Sequence, residues 1–322
     1  MSTASGVPET TSPTTEDDPR ELLKSVGFKR LLKDSFTRFR SADGLSHARA
    51  FAHAAILTGV PALITVIGIA STFELGTFRK VLKETLTGIA PGPSTQLLTE
   101  AFQQGSDNQG GLTLAGGLLA TLVAATLAMA QVERGCNRIY GLERDRHLRR
   151  KLMRAAFLGV TSGLLLGAAF LTVAAGGAIG DALGTQLKWG NAAGLAFVIG
   201  RWVLGIGFVF AALTLIYRLS PNRRQPSAAW LQTGTSMAAA LWVALTGILA
   251  FYYANNESMS ETYGPLLGII ALLTWAYASG AALFLGMAFA AQLEAIRAGA
   301  PGPRTTRRSN ERVTDPAGAE DR

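Results

Sequence analysis

Six apolar stretches constrain this chain more than any other feature. They run roughly Ala50–Phe73, Leu112–Val132, Ala155–Ile179, Leu195–Tyr217, Ala228–Tyr253 and Leu266–Leu293. About 20 helical residues cross a ~30 Å hydrocarbon core, and each stretch reaches that length. A helix of a water-soluble protein keeps one polar face, and these keep none. Arg201 is the one fully charged residue inside them. The expected fold is therefore all-α and polytopic, with six transmembrane helices.

Charge placement orients them. Of the 30 Lys and Arg residues, 8 lie up to Arg49, 8 in Glu133–Arg154, 3 just after the fourth stretch and 6 in the C-terminal tail. The intervening loops hold only Arg79, Lys80, Lys83 and Lys188. Cations near span ends stay in the cytoplasm, so both termini are expected inside. A net charge of +8 would otherwise suggest nucleic acid. A solvated basic surface has no reason to skip alternate loops, so no specific nucleic-acid partner is expected.

The domain reading follows composition. Residues 1–20 are rich in Ser, Thr, Pro and acid, and are expected to be disordered. Residues 21–45 hold a basic amphipathic helix, with Phe28, Leu31, Leu32, Phe36 and Phe39 at helical spacing and Lys24, Lys29, Arg30, Lys33, Arg38 and Arg40 between them. That helix suits the anionic inner leaflet, or packing on the cytoplasmic loops. Residues 46–295 are the membrane domain and 296–322 a second disordered tail. The long segment Glu74–Gly111 holds two short amphipathic pieces around Pro91-Gly92-Pro93. Gly159, Gly163 and Gly167 share one helix face, as close helix contact in lipid requires.

Residues able to carry chemistry are few. Arg201 sits early in the fourth span. It either snorkels to the outer interface beside Trp189 and Trp202, or lines a site for a phosphate or carboxylate. Cys136 reads as a small buried side chain. His47, His53 and His147 lie far apart with no carboxylate at ligand spacing, so no metal site and no cofactor are expected. Glu133 and Glu294 end the second and sixth spans and read as solvated interfacial carboxylates. No nucleophile elbow, phosphate-binding loop or HExxH is present, so no enzymatic role is expected.

Three stretches resemble the YihY/BrkB family of bacterial inner-membrane proteins, some of which carry a legacy label of ribonuclease BN. The first is Asn137-Arg138-Ile139-Tyr140-Gly141 after span two. The second is Tyr217-Arg218-Leu219-Ser220-Pro221-Asn222-Arg223-Arg224 after span four. The third is Tyr263-Gly264 opening span six, with Trp275 at family spacing. The resemblance covers roughly residues 45–295. Where the family often has G-A-E-x-N in span six, this chain has Gly286-Met287-Ala288-Phe289-Ala290, without the acid and the amide.

In these motifs Pro221 stops the fourth helix, Asn222 favours the turn and Tyr140 serves as an interfacial anchor. Arg138, Arg218, Arg223 and Arg224 are candidate contacts for lipid phosphates or for the Glu133–Arg154 loop. The resemblance implies transport, or the handling of lipid or anionic solutes, with no agreed substrate. A scaffold holding a membrane or cytoplasmic protein partner is the alternative, and the ribonuclease label lacks an acid, base or metal to support it.

Overall fold

The computed structural model describes residues 4–9, 18–72, 110–142, 146–187, 190–256, 266–300 and 302–304. Tyr263, Gly264, Trp189 and nearly all of the Glu74–Gly111 segment fall outside them. Among the described residues the fold is all helical: α1 (Pro19–Val26), α2 (Phe28–Ser41), α3 (Gly44–Thr72), α4 (Gly110–Ile139), α5 (Leu148–Leu187), α6 (Asn191–Leu219), α7 (Ala228–Ala254) and α8 (Leu266–Arg297). The last six are each long and apolar enough to cross a membrane.

The amphipathic segment is two helices, not one. Gly27 at φ +83° separates α1 from α2, a conformation open to glycine because it lacks Cβ. Asp18 caps α1 by accepting from the Arg20 backbone N–H at 2.9 Å, and Pro19 opens it. α2 packs against α8, and Leu31 is fully buried with Trp230, Phe289 and Leu293. Phe28 and Phe36 stay about half exposed.

α3 through α8 pack in chain order, and α8 returns to α3, so the spans form a ring. Burial is lopsided along it. Near the end that carries both chain termini, α8 is buried almost continuously from Ala282 to Ala295. Val132, Cys136 and Ile139 of α4, Ile216 and Tyr217 of α6, and Leu231 of α7 join it there. Toward the other end Leu119, Val203, Ile248 and Leu266 are more than half exposed. Apolar side chains facing lipid incur no hydrophobic cost, so the far half can spread.

The glycines trace the same asymmetry. Gly159 faces Ala125 of α4, and a Cβ on it would lie 3.1 Å from the Ala125 Cβ. Gly163 and Gly167, one and two turns on, have nothing within 4 Å. The expected three-glycine contact face is thus used at one position, where α4 and α5 still touch. At the tight end, a Cβ on Gly234 of α7 would fall 2.6 Å from the Gly286 carbonyl oxygen of α8. A Cβ on Gly286 would meet the Tyr217 hydroxyl at 2.6 Å.

Gly234→Ala and Gly286→Ala are accordingly expected to lower unfolding stability in detergent by about 1–3 kcal/mol through overpacking. Gly163→Ala is expected to be neutral or stabilising by roughly 0.5–1 kcal/mol, from helix propensity alone. Thermal or denaturant unfolding of the purified variants checks both.

Candidate functional site

The helix-stop chemistry of the sequence builds the closed end. α4 ends in a Schellman motif. Gly141 adopts φ +71°, its N–H donates to the Arg138 carbonyl (3.1 Å), and the Leu142 N–H donates to the Asn137 carbonyl (2.8 Å). α8 ends the same way at Gly299, φ +61°. α6 stops at Leu219, and Ser220 and Pro221 carry the chain into the turn before α7. These stops gather the ends of α4, α6 and α8 with unsatisfied carbonyls that need donors.

Three arginines gather here, and two of them, Arg38 and Arg146, donate to such carbonyls. Arg38 of α2 is fully buried and donates through Nε to Gln292 Oε1 (2.8 Å) and through Nη1 to the carbonyls of Ser5 (2.8 Å) and Ile139 (3.2 Å). Arg146 donates to the carbonyls of Ser220 (3.0 Å) and Pro221 (2.6 Å) and pairs with Glu133 at 2.7 Å. Arg223 pairs with Glu294 at 2.6 Å, both side chains 1% exposed. It also donates to the carbonyls of Val7 and Pro8 and lies 4.7 Å over the Tyr140 ring. Burial lowers the Arg38 guanidinium from its ordinary value to about 10, with Tyr140 opposing, so it stays charged at neutral pH. Burial, with Glu294 adding to it and Arg223 opposing, raises the Tyr140 phenol above its ordinary value. It stays a donor, to Gln225 Oε1 at 3.1 Å.

Several sequence expectations change here. Arg223, given as a contact for lipid phosphate or for the Glu133–Arg154 loop, faces the protein interior over Tyr140 of that loop, with Glu294 and two carbonyls replacing its water. Tyr140 is fully buried rather than an interfacial anchor. Glu133 and Glu294 are buried in ion pairs rather than solvated. Arg38, read as part of a polar face, is a buried hub. Residues Ala4–Glu9, within a segment expected to be disordered, lie against this layer, with Ala4 and Val7 each 6% exposed.

The first two sequence motifs meet. Asn137 Oδ1 accepts from the Asn222 backbone N–H at 2.7 Å. Arg218 and Arg224 are exposed and Arg138 is partly so. Trp275 of the third motif stands edge-on to Trp242 and donates to Thr246 Oγ1 at 3.2 Å, which ties α8 to α7. Sequence reasoning missed Arg38, Gln292, Arg146 and Ser5 as a group, since they are distant in the chain. The one local signal was Leu31, Ser35 and Arg38 falling on one face of α2.

Beside this layer, and sharing Arg146 with it, an open cleft of about 740 Å³ lies between α5 and α6. Arg146, Arg150, Arg154 and His147 surround it above Met153 and Phe157. Arg201 lies on the same seam near the other end. Its Cδ would be 3.2 Å from a Cβ on Gly176 of α5, and its buried Nε has no hydrogen-bond partner among the described residues. From Leu219 at the cleft to Arg201 is 18 residues of α6, or about 27 Å at 1.5 Å per residue.

Fold and site thus define a six-span, all-α membrane protein closed at one end by a buried layer of paired charge. The chain belongs to the family described as Virulence factor BrkB, whose model matches residues 35–311. It is 24% identical to the ribonuclease-like protein YfkH of Bacillus subtilis over 79% of this chain and 92% of that one. It is 27% identical to a UPF0761 membrane protein of Alkalilimnicola ehrlichii over 84% of this chain and 60% of that one. A UPF0761 membrane protein of Aromatoleum aromaticum is 28% identical over 83% of this chain and 63% of its own length. The chain thus spans under two thirds of these two UPF0761 relatives. No solved structure matches it.

Removing one partner of a buried ion pair strands the other. Glu294→Ala is expected to cost about 3–5 kcal/mol, and the double variant Arg223→Met/Glu294→Met less than the two single changes summed. A double-mutant cycle on unfolding free energies in micelles measures the difference.

Proposed function

We propose that the protein carries anionic lipid headgroups, or small anionic solutes, along the seam between α5 and α6. The observation that carries this reading is the pair of cationic positions on one helix seam, one at the closed end and one far along it. Arg150 and Arg154 stand at a cleft beside the closed end, and Arg201 lies about 27 Å away along α6, close to a bilayer's hydrocarbon thickness. A guanidinium matches phosphate and carboxylate geometry, and an apolar floor of Met153 and Phe157 suits an acyl chain. A charge near the hydrocarbon core is costly unless function retains it.

On this reading the chain sits in a bacterial inner membrane. The basic, termini-bearing end faces the cytoplasm, where anionic lipid attracts arginine. The role is non-enzymatic. Glu133 and Glu294 are engaged by arginines, and a basic surface alone supplies affinity for RNA without chemistry. The name of YfkH is that protein's own.

The test uses proteoliposomes with fluorescent phosphatidylglycerol, fluorescent phosphatidylcholine, or an entrapped organic anion. The parent should move an anionic probe above the protein-free rate. Arg201→Ala and the pair Arg150→Ala/Arg154→Ala should each slow it by about tenfold, the loss of one charge-assisted hydrogen bond. Zwitterionic lipid should move little. Equal rates for parent, both variants and empty liposomes would reject the seam and favour the scaffold alternative.

A further inference from the structure

We infer that the closed end carries a docking cleft for an extended peptide, and that the chain's own segment Ala4–Glu9 is its occupant. The binding is directed at the peptide backbone. The Ser5 N–H donates to the Pro303 carbonyl (3.2 Å) and the Val7 N–H to the Tyr140 carbonyl (3.2 Å), while Ala4 makes a β-bridge to Arg304. The Ser5 carbonyl accepts from Arg38, and those of Val7 and Pro8 from Arg223. The Ser5 hydroxyl donates to the Gly302 carbonyl at 2.6 Å and lies 3.2 Å from Arg38 Nη2. The Glu9 carboxylate accepts from the Arg224 backbone N–H at 3.0 Å. Main-chain bonding of this kind supplies affinity, and pockets for alternate side chains supply selectivity. Here the pocketed residues are Ala4, Ser5 and Val7, at 6%, 3% and 6% exposed.

Walls and occupant fall on opposite sides of the family model's boundary. Arg38, Tyr140, Arg223, Arg224 and Glu294 lie within the span matched by the family model, residues 35–311, and Ala4–Glu9 lie outside it. The cleft is also shaped for close backbone approach. A Cβ on Gly141 would come 2.8 Å from the Gly6 backbone nitrogen and Cα, so the residue that ends α4 is also the floor over which the segment passes. Arg38 and Arg223 also hold Gln292, Ile139 and Glu294, partners that do not depend on the segment. Departure of the segment leaves donor N–H groups facing the cleft, which suits any extended chain with a small residue, an apolar residue and an acid at the Ser5, Val7 and Glu9 positions.

The segment joins α1 through only residues 10–18. A tether of that length sets an effective concentration in the millimolar range, so even weak docking is satisfied within one chain and an outside peptide at micromolar levels is shut out. The inference is independent of what the bundle carries, because docking is read by binding alone.

Fluorescence polarisation with a labelled peptide of residues 2–12 tests it on two proteins, the full chain and a variant lacking residues 2–9. The truncated protein should bind the peptide, and the full chain should bind it at least about tenfold more weakly, because its cleft is filled. A peptide carrying Val7→Asp should lose about tenfold or more on the truncated protein, from burying an unpaired carboxylate. Val7→Asp in the full chain should open the cleft to the native peptide without shortening the protein. Hydrogen exchange on the unaltered chain gives a reading that no variant can confound. The Ser5 and Val7 amides should exchange at least about tenfold more slowly than in the free peptide. Unprotected amides, equal binding of the native and Val7→Asp peptides, or equal binding by full and truncated chains would overturn the inference.

Discussion

A guanidinium cannot leave water unless acceptors replace it, and that requirement organises the closed end of the bundle. Transfer of an unpaired ion to the interior costs several kcal/mol even after relaxation. Helix C-termini present the matching problem, carbonyls without donors. Arg38 meets the end of α4 at Ile139, and Arg146 meets the end of α6 at Leu219, Ser220 and Pro221. Each cation also sits at the negative pole of a helix dipole. Charge and backbone satisfy each other, and Glu133, Glu294 and Gln292 take the remaining donors. The result is polar and dry together.

The ring of spans was legible because its signal is local. Each apolar stretch is continuous, and basic residues mark alternate ends. The polar layer was not, because its members are recruited from across the chain. Arg38 reaches Gln292 over 254 residues and Arg223 reaches Glu294 over 71. Composition reads an arginine or glutamate at a span end as solvated, since nothing nearby in sequence announces the partner. The same limit explains Ala4–Glu9. Low hydrophobicity says that a segment cannot form its own core, and says nothing of carbonyls accepted by someone else's arginines. Motifs read as fold punctuation were closer to their role. Pro221 follows the end of α6, Gly141 completes the Schellman turn, and Asn137 with Asn222 ties the two motifs together. The glycine series of α5 shows a partial reading. The shared face is real, yet only Gly159 meets a neighbour, because spacing cannot report where two helices diverge.

Lipid supplies no hydrophobic force to draw helices together, so cohesion must come from close packing and polar contact. Both are concentrated at one end. Gly234 and Gly286 bring α7 and α8 into backbone contact there, and the Tyr217 hydroxyl donates to the Leu283 carbonyl at 2.6 Å beside them. A buried ion pair adds little net stability over an apolar replacement, so the Arg223–Glu294 pair specifies the closed arrangement more than it glues it. An opening at that end would admit water to the same groups and recover much of their solvation.

Beside the α5–α6 pair, the packing of α6 on α7 is the thinnest in the ring. α5 and α6 stay packed on each other as far as Gly176 and Gly180, where Arg201 and Phe197 of α6 fill the space a Cβ would take. Their ties to the other spans lie at the closed end: Gly159 against Ala125, Arg146 on Glu133, Asn222 on Asn137, and the Tyr217 hydroxyl on α8. The pair is thus held to its neighbours by polar contacts at the closed end, while exposed apolar side chains such as Leu164 and Val203 suit lipid beyond it.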